Sequence, residues 1–420
     1  MFGPAEPAEG WADAARTGFD EGRDVPGLPP GGLVVATSGS TGSPKSVVLS
    51  AAALEAAAEA AHAWLGGPGW WLSALPTGYV AGLMTLVRAG QGGTGWSAVA
   101  SDLRDLDEAL TALTGRRPLR PRRSPALATS WPAYLSIVPT QLARALDRPA
   151  VARALARCDA VLVGGSGLDP ALRRRAAELG VPVVRTYGMS ETCGGVVYEG
   201  EPLPGVAVGF EPTELPGADL RAGLAPGGQE ECELTGRPGD ATRLKPTELP
   251  AAGCGATLAA GGVGDPDARI TLTTPTCFSG YVGDPAATAA VLRGQTVLTA
   301  DRGHLERGRL VVTGRIDDVV ISGGVNVDLA DLQRQFDAVW GLGTVVAFAV
   351  PDSVWGSRIM ASATRSCGLA EIVGRLDGRV TVAARPRGVF VVPELPLTES
   401  GKPDRRRLAQ LWEAQHGNSS

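Results

Sequence analysis

The sequence predicts an α/β protein with a large, multi-layer N-terminal domain and a small α+β C-terminal domain. Short apolar strands alternate with helices through the first half, a pattern typical of a parallel sheet covered by helices. The 420 residues are enough for two or three domains with a large buried core. A second strand-and-helix pattern begins after residue 309. We therefore expect an N-terminal domain over 1–316, with mixed sheets and a small β-subdomain, and a C-terminal domain over 317–420.

The elements of the first half are marked by capping and turn residues. Ser50 is a good N-cap for a helix over Ala51–Leu65, and Gly66 is a good terminator of that helix. The other predicted elements of this half are strands over 32–37, 46–50, 70–75, 134–138, 160–163 and 181–186, and helices near 80–89, from 141 and over 170–179.

Residues 211–267 differ from their surroundings, because they are rich in Gly, Pro, Thr and Glu and show weak periodicity. Pro212–Pro216 recurs as Pro246–Pro250, but a repeat architecture needs about three copies. We interpret 211–267 as an insertion of loops and short strands. The elements predicted beyond it are strands over 309–313, 318–321, 344–350 and 389–392, and helices over 328–339, 369–376 and from 404.

Composition excludes several classes of function. The net charge is −5, and the one basic run, Arg116–Arg123, is broken by prolines, which argues against a nucleic-acid partner. The 6 cysteines form no CxxC pair, so neither a zinc site nor a disulfide framework is indicated. No stretch reaches the roughly 18 apolar residues of a membrane span, and the N-terminus lacks a signal-peptide pattern. We expect a cytoplasmic protein.

Lysine is scarce in this chain, with Lys45, Lys245 and Lys402 as its only examples. A lysine ammonium is a compact point charge, whereas arginine is a broad planar fork, so we expect a retained lysine to mark a place where arginine cannot serve. Base-composition bias with chance is the alternative, and it is favoured for Lys245. Lys45 and Lys402 both lie in polar segments that contain glycine, whereas nothing chemical surrounds Lys245.

The segment Thr37–Lys45 has the composition of an anion-binding loop. Its glycines allow close approach of backbone N–H groups to an anion, and its hydroxyls and lysine add donors and charge. A Walker A loop is the rival interpretation. Pro44 argues against it, because proline lacks an N–H and stands where that loop requires glycine.

Five motifs in the same order resemble those of the adenylate-forming superfamily, which includes acyl-CoA synthetases, adenylation domains and luciferases. They are Thr37–Lys45, Val163–Ser166, Thr186–Thr192, Thr299–Asp301 with Gly314–Asp318, and Leu397–Lys402. The resemblance covers most of the chain. It implies that ATP, Mg²⁺ and CoA take part with a carboxylic acid, and that the small domain is mobile.

The resemblance implies a role for each matching residue. Tyr187 would stack on adenine, Asp301 would accept hydrogen bonds from the ribose hydroxyls, and Glu191 would hold Mg²⁺ and count as catalytic. Ala300 stands where the motif has glycine, so Ala300 would be strained if that position needs a positive φ. The implied ATP-binding residues are Thr37, Ser38, Gly39, Ser40, Thr41, Gly42, Lys45, Gly164, Gly165, Ser166, Thr186, Tyr187, Gly188, Thr192, Asp301 and Arg315.

Further implied roles concern the chemistry and the second half-reaction. Lys402 would be catalytic, bridging the substrate carboxylate and the α-phosphate, and Asp317 would be the hinge about which the small domain rotates. The CoA channel would be lined by Ser322, Gly323 and Gly324. No histidine is required, because the nucleophile is already ionised.

Within the superfamily, the chain most resembles the o-succinylbenzoate–CoA ligases of menaquinone biosynthesis. Gly194 and Gly195 would make floor space for an aromatic ring, and the other candidates for the acyl pocket and the second carboxylate are Tyr79, Arg88, Thr140 and Gln141. Tyr79 departs from the histidine that many relatives carry. The insertion is also longer than expected, and it points to surface or oligomer contacts.

Three alternatives stay open. The chain is also compatible with a CoA ligase for another aryl or small acid, with an adenylation domain that loads a carrier protein, and with a non-catalytic nucleotide-binding protein. No carrier segment follows Lys402, which weakens the second, and the presence of Glu191 and Lys402 weakens the third. A homodimer is likewise left open.

Overall fold

The computed structural model describes residues 29–37, 45–113, 131–213, 257–258, 268–341, 343–398 and 403–416. These residues form two compact units. The larger unit holds the described residues up to Thr213, those within 255–317 and those within 397–404. The smaller unit holds those within Asp318–Pro396 and from Arg405 onward. The division into functional domains at 316 and 317 stays a prediction.

The strands of the larger unit's described part follow in chain order. They are β1 (Leu33–Ala36), β2 (Ser46–Leu49), β3 (Trp70–Ser73), β4 (Trp96–Ala98), β5 (Ala133–Ile137), β6 (Ala160–Val163), β7 (Val183–Met189), β8 (Gly194–Tyr198), β9 (Glu201–Pro202), β10 (Ala207–Glu211), β11 (Thr257–Leu258), β12 (Arg269–Thr273), β13 (Gly280–Tyr281), β14 (Leu292–Arg293), β15 (Thr296–Glu306) and β16 (Arg309–Arg315). The helices are α1 (Ala51–Trp64), α2 (Val80–Gly92), α3 (Leu106–Leu113), α4 (Pro139–Leu146), α5 (Pro149–Leu155), α6 (Pro170–Glu178) and α7 (Pro285–Val291).

Three sheets build the described part of the larger unit. A seven-stranded sheet has the order β4-β3-β5-β6-β7-β8-β9, and its first five strands are parallel. The hairpin β1–β2 forms a three-stranded antiparallel sheet with β13. A mixed sheet has the order β11-β10-β12-β15-β14, with β16 also paired to β15. The predicted alternation of strands and helices is thus confirmed.

Helix α1 shows how local sequence sets this packing. The Ser50 hydroxyl accepts a hydrogen bond from the Ala53 N–H at 3.1 Å, which confirms the predicted N-cap. The small side chains on its buried face allow close approach to α2, to the β1–β2 hairpin and to Phe278. This contact fixes the hairpin that carries Thr37 and Lys45 against the body of the larger unit.

The smaller unit is a sheet packed with helices. Its described strands are β17 (Val319–Ser322), β18 (Val325–Asp328), β19 (Val345–Asp352), β20 (Gly356–Ala363) and β21 (Val389–Val391), and its helices are α8 (Leu329–Trp340), α9 (Leu369–Arg375) and α10 (Arg405–His416). The sheet order is β18-β17-β20-β19, with β21 parallel to β20. Phe336 and Phe348 are fully buried in this unit.

The predicted fold class is confirmed in both units. Strand β2 rather than a helix follows the segment 38–44, which agrees with the argument against a Walker A loop. Most of the predicted insertion, residues 214–256 and 259–267, lies outside the described residues. In the part of the chain that the structure describes, no helix is long and apolar enough to cross a membrane.

Candidate functional site

The predicted site residues of the larger unit gather where parallel strands end. Strand β6 ends immediately before Gly164, and β7 carries Thr186, Tyr187 and Gly188 near its carboxyl end. Carboxyl ends of neighbouring parallel strands meet at one edge of a sheet, where ligands of open α/β sheets bind. The segment after β6 and the end of β7, which are separate in sequence, therefore lie side by side at this edge of the sheet.

Tyr187 and Asp301 contact each other directly. The Tyr187 hydroxyl donates a hydrogen bond to Asp301 Oδ2 at 2.9 Å. Asp301 lies on β15 and is 7% exposed, and its backbone N–H donates to the Thr299 hydroxyl at 3.0 Å. Burial, and after it the Asp301 carboxylate, raises the pKa of Tyr187 well above its ordinary value. Tyr187 thus stays a hydrogen-bond donor, and its ring is held in place from the hydroxyl end.

Arg315 links Asp301 to the predicted hinge. Its Nη1 lies 3.1 Å from Asp301 Oδ1, and Asp301 is opposite Arg315 in the β15–β16 register. Its Nε and Nη2 donate to the two oxygens of Asp317, each at 2.7 Å. This fork geometry is the bidentate arrangement that arginine forms with carboxylates.

Ala300 is not among the described residues with positive φ, so the strain that was considered for this position does not arise.

A short 3-10 turn, Ser190–Thr192, carries Glu191 from β7 to β8. Thr192 is fully buried, and its hydroxyl accepts from the Met189 N–H and contacts the Gly194 carbonyl at 2.8 Å. The backbone oxygen of Thr192 accepts from Thr276. The hydroxyl is thus enclosed within the turn, and a contact of Thr192 with ATP stays a prediction. Thr192 holds the turn that presents Glu191.

Tyr281 is a site residue that the sequence reasoning missed. Its hydroxyl donates to Glu191 Oε1 at 2.7 Å, and its ring centroid lies 4.7 Å from Lys45 Nζ. Tyr281 belongs to the two-residue strand β13, which has no periodicity to recognise. Its only sequence signal is an aromatic residue beside Gly280, close to the capped start of α7 at Asp284.

Glycines shape the edge at three places. A Cβ on Gly164 would lie 2.4 Å from Thr186 Oγ1, and one on Gly188 would lie 2.0 Å from the Gly194 oxygen. Gly165 has φ +80°, in the left-handed region that favours glycine. Gly164 and Gly188 are thus required by close packing within the chain, and Ser166 follows Gly165 at an exposed position.

The residues predicted to line the acyl pocket have different neighbours in the structure. A Cβ on Gly194 would face Met84, whereas one on Gly195 would lie 3.0 Å from the Tyr198 ring. Gln141 accepts from the Val138 N–H and donates to two backbone carbonyls, so its amide ties strand ends together. Tyr79 is the N-cap residue of α2, and Thr140 lies in α4. Contacts of these residues with an acyl group stay a prediction.

Arg88 is a buried cation without an acidic partner among the described residues. It is 4% exposed, its Nη2 donates to Tyr198 Oη at 3.2 Å, and its guanidinium lies 4.9 Å from the Trp71 ring. Its Nε is buried without a hydrogen bond.

The nearby His62 has a pKa of about 4, below its ordinary value, and burial is the largest cause. A hydrogen bond with Gln91 raises this pKa, and the charge of Arg88 lowers it. His62 is therefore neutral at physiological pH.

Three predicted residues lie in the smaller unit. Ser322 is fully buried at the end of β17, and Gly323 and Gly324 follow it with φ of +61° and +79°. A Cβ on Gly323 would lie 2.5 Å from the Trp355 ring. The hairpin between β17 and β18 thus requires glycine, and its contact with CoA stays a prediction.

The two lysine-containing segments are described only at their ends. Thr37 and Lys45 exchange backbone contacts, with the Thr37 N–H donating to the Lys45 oxygen at 2.8 Å and the Lys45 N–H donating to Thr37 Oγ1 at 3.2 Å. Leu397 and Pro403 form an antiparallel bridge. Outside the described residues lie Ser38, Gly39, Ser40, Thr41, Gly42 and Lys402.

The residues around Glu191 suit a magnesium ion that is shared with phosphates. Among the described residues, no group of three His, Cys, Asp or Glu side chains gathers as an all-protein metal cage. Mg²⁺ usually binds through one or two carboxylates together with substrate phosphates and water. Glu191 fits this pattern, because Tyr281 is its only described side-chain partner and contacts only one carboxylate oxygen.

The comparisons with known proteins agree with this geometry. A probable 2-succinylbenzoate–CoA ligase of Mycobacterium tuberculosis (strain H37Rv) is 34% identical over 90% of this chain and 84% of its own length. An indoleacetate–CoA ligase of Aromatoleum aromaticum is 27% identical over 96% of this chain and 73% of its own length.

A solved structure of o-succinylbenzoate CoA synthetase from Bacillus subtilis, in complex with its acyl-adenylate intermediate, has the same fold. Its TM-score is 0.64 at 22% identity, over 89% of this chain and 68% of that one. The AMP-binding enzyme family model matches residues 33–219, and the model of the AMP-binding enzyme C-terminal domain matches residues 341–402. The chain belongs to the family of AMP-binding enzymes.

Proposed function

We propose that this protein ligates o-succinylbenzoate to CoA through an acyl-adenylate made from ATP, in the cytoplasm, as a step of menaquinone biosynthesis. One observation carries the proposal: strand β7 and the turn after it bring Tyr187 and Glu191 to one edge of the sheet. Tyr187 is hydrogen-bonded there to Asp301, and Glu191 is hydrogen-bonded to Tyr281. The likeness to the mycobacterial ligase, at 34% identity over 90% of the chain, supports the choice of acid.

The nucleotide would lie along this edge. Adenine would stack on the Tyr187 ring, and the ribose hydroxyls would donate to Asp301, which is held between Tyr187 and Arg315. The phosphates would extend toward Lys45 and the segment that begins at Thr37. Glu191 would hold Mg²⁺, which supplies positive charge to the phosphates when it is bound.

The first half-reaction needs positioning more than proton transfer. A carboxylate oxygen of the acid attacks the α-phosphorus of ATP, and the bond to pyrophosphate breaks. Lys402 would lie between these two anions and reduce their repulsion most at the transition state. The carboxylate is already ionised, so no base is required. His62, whose pKa is about 4, has no part in this step.

The second half-reaction would use the other unit. The CoA sulfur attacks the acyl carbon of the adenylate, the bond to AMP breaks, and the thiol proton leaves to solvent. Rotation about Asp317 would bring Ser322, Gly323 and Gly324 to the channel that admits the thiol. The glycine-rich hairpin supports this assignment, because it presents no side chain at Gly323 or Gly324.

Arg88 supports an acid with a second carboxylate. o-Succinylbenzoate carries two carboxylates, and only one of them reacts. A buried guanidinium without a counter-charge is costly, so an anion that reached it would be bound strongly. Arg88 lies one helical turn after Met84, which faces Gly194. A cation on this face of α2 supports the prediction that Arg88 belongs to the acyl pocket.

A CoA ligase for another aryl acid is the second candidate. The specific observation in its favour is the likeness to the indoleacetate–CoA ligase, which extends over 96% of this chain. An acid of that kind has one carboxylate, so it would make no use of Arg88.

The deciding experiment supplies purified protein with MgATP, CoA and a panel of acids, and measures pyrophosphate release and the mass of the thioester. We expect turnover of o-succinylbenzoate, and a fall of at least about tenfold in its kcat/KM in Arg88→Met. Arg153→Met, which removes an exposed arginine of α5, is the control. Turnover of another acid but not of o-succinylbenzoate would reject the assignment. Sedimentation of the same preparation tests for a homodimer.

A further inference from the structure

Tyr281 contacts two side chains of opposite charge. Its hydroxyl donates to Glu191 Oε1 at 2.7 Å, while Lys45 Nζ lies 4.7 Å from its ring centroid. Among the described residues, neither Lys45 nor Glu191 forms an ion pair. A single neutral side chain therefore serves as the partner of both charges.

The strand pairing explains this position. Tyr281 of β13 is opposite Val47 of β2, and Lys45 precedes Val47 by two residues, on the same side of the extended chain. The Tyr281 N–H donates to the Thr288 hydroxyl at 2.9 Å, and Phe278 packs against the ring with centroids 5.0 Å apart. The hydrogen bond to Thr288 thus holds the backbone of Tyr281, and Phe278 holds its ring.

We propose that Tyr281 is a positioning residue that keeps Lys45 and Glu191 from pairing with each other, so that both stay available to a metal–nucleotide complex. This inference rests on the proposed function, because it assigns the ligand that the two charges receive. It concerns the availability of Lys45 and Glu191 to the metal and the nucleotide, and not the identity of the acid.

Both contacts of Tyr281 are weak enough for Lys45 and Glu191 to bind a ligand in their place. The ring face attracts the ammonium of Lys45 only moderately, so an incoming phosphate displaces the ring without breaking an ion pair. The hydroxyl orients Glu191 through Oε1 and leaves Oε2 for a metal ion. If Tyr281 were small and apolar, Lys45 and Glu191 would be drawn together, and each would lose the charge that it offers to the ligand.

The experiment measures binding of Mn²⁺ with α,β-methylene-ATP, using the spin resonance of free Mn²⁺ for the metal and calorimetry for the nucleotide. Tyr281→Phe keeps the ring and removes the hydroxyl, whereas Tyr281→Leu removes both contacts. Tyr134→Phe is the matched control, because that buried hydroxyl donates to the backbone oxygens of Leu65 and Gly67. Thermal unfolding checks that each variant is folded.

We expect Tyr281→Phe to weaken Mn²⁺ binding to the nucleotide complex by about tenfold, with metal-free nucleotide affinity unchanged within about twofold. Tyr281→Leu should weaken the metal-free affinity several-fold as well, because Lys45 is then drawn to Glu191. In a Glu191→Gln background, Tyr281→Phe should cause no further loss of metal binding.

Two outcomes would overturn the inference. One is wild-type Mn²⁺ affinity in Tyr281→Phe, and the other is an equal loss in the Glu191→Gln background, which would indicate a general structural role. If the unmodified protein bound nucleotide with no effect of Mn²⁺, the proposed function would fail, and the inference would fail with it.

Discussion

Acidification should destabilise the larger unit through one histidine. His62 is 6% exposed, and its Nδ1 lies 2.8 Å from the Gln91 amide oxygen. Its pKa is about 4 in the folded protein, below the ordinary value of 6.5, and burial is the largest cause. The perturbation is a change of pH from 7.5 to 5, compared between the protein and its His62→Asn variant.

The sign follows from proton binding. Between pH 4 and 6.5 the unfolded chain binds a proton at His62 and the folded chain does not. The stability that depends on neutral His62 is therefore complete above pH 6.5 and declines as the pH falls toward 4. At pH 5 the difference in proton binding amounts to about 2 kcal/mol of unfolding free energy.

Urea unfolding at several pH values, followed by tryptophan fluorescence, measures this effect. The protein should lose about 2 kcal/mol more than His62→Asn between pH 7.5 and 5, since the carboxylates titrate alike in both proteins. Arg88→Met should reduce the loss, because Arg88 contributes to lowering the pKa of His62. Equal pH dependence in the protein and His62→Asn would refute the reasoning.

Three further predictions concern the site. Asp301→Asn should raise the KM for ATP by about tenfold or more, because it removes the charge that Tyr187 and Arg315 contact; an unchanged KM in steady-state kinetics would contradict the ribose role. Gly188→Ala should lower the melting temperature and the activity together, because its Cβ would lie 2.0 Å from the Gly194 oxygen; a melting temperature equal to that of the parent would show that this position of β7 tolerates a side chain. Lys402→Ala should stop adenylate formation yet still convert supplied acyl-adenylate to thioester, and Lys402→Arg should fail in the first step too; equal loss of both half-reactions in single-turnover assays would reject the role of Lys402.

The sequence predicted the fold and the neighbourhood of the nucleotide motifs because these depend on local signals. The Ser50 cap, the apolar strands and the order of the motifs can all be recognised within short windows. Since parallel strands end at a common edge, the segments after β6 and within β7 could be expected to meet there. The structure agrees, because a Cβ on Gly164, just after β6, would lie 2.4 Å from Thr186 Oγ1 of β7.

What the sequence did not predict depends on contacts between distant segments. Tyr281 acquires its role only because β13 pairs with β2, whose residues occur far earlier in the chain. The hydrogen bonds of Thr192 to Gly194 and Thr276 depend on the return strand β8 and on a segment far along the chain. The burial of Arg88 likewise depends on its contacts with Trp71 and Tyr198, which come from other elements.

The backbone pairings at the bases of the two lysine segments have a consequence for engineering. Thr37 with Lys45, and Leu397 with Pro403, close each segment where it leaves the rest of the fold. Each pairing holds the two ends of its segment together in the folded protein, which reduces the entropy that closing the loop costs. Replacing 38–44 with a segment of equal length and neutral composition should therefore change what the site binds. Thr37→Val removes the hydroxyl that accepts from the Lys45 N–H, so it should loosen the closure at the base of that segment.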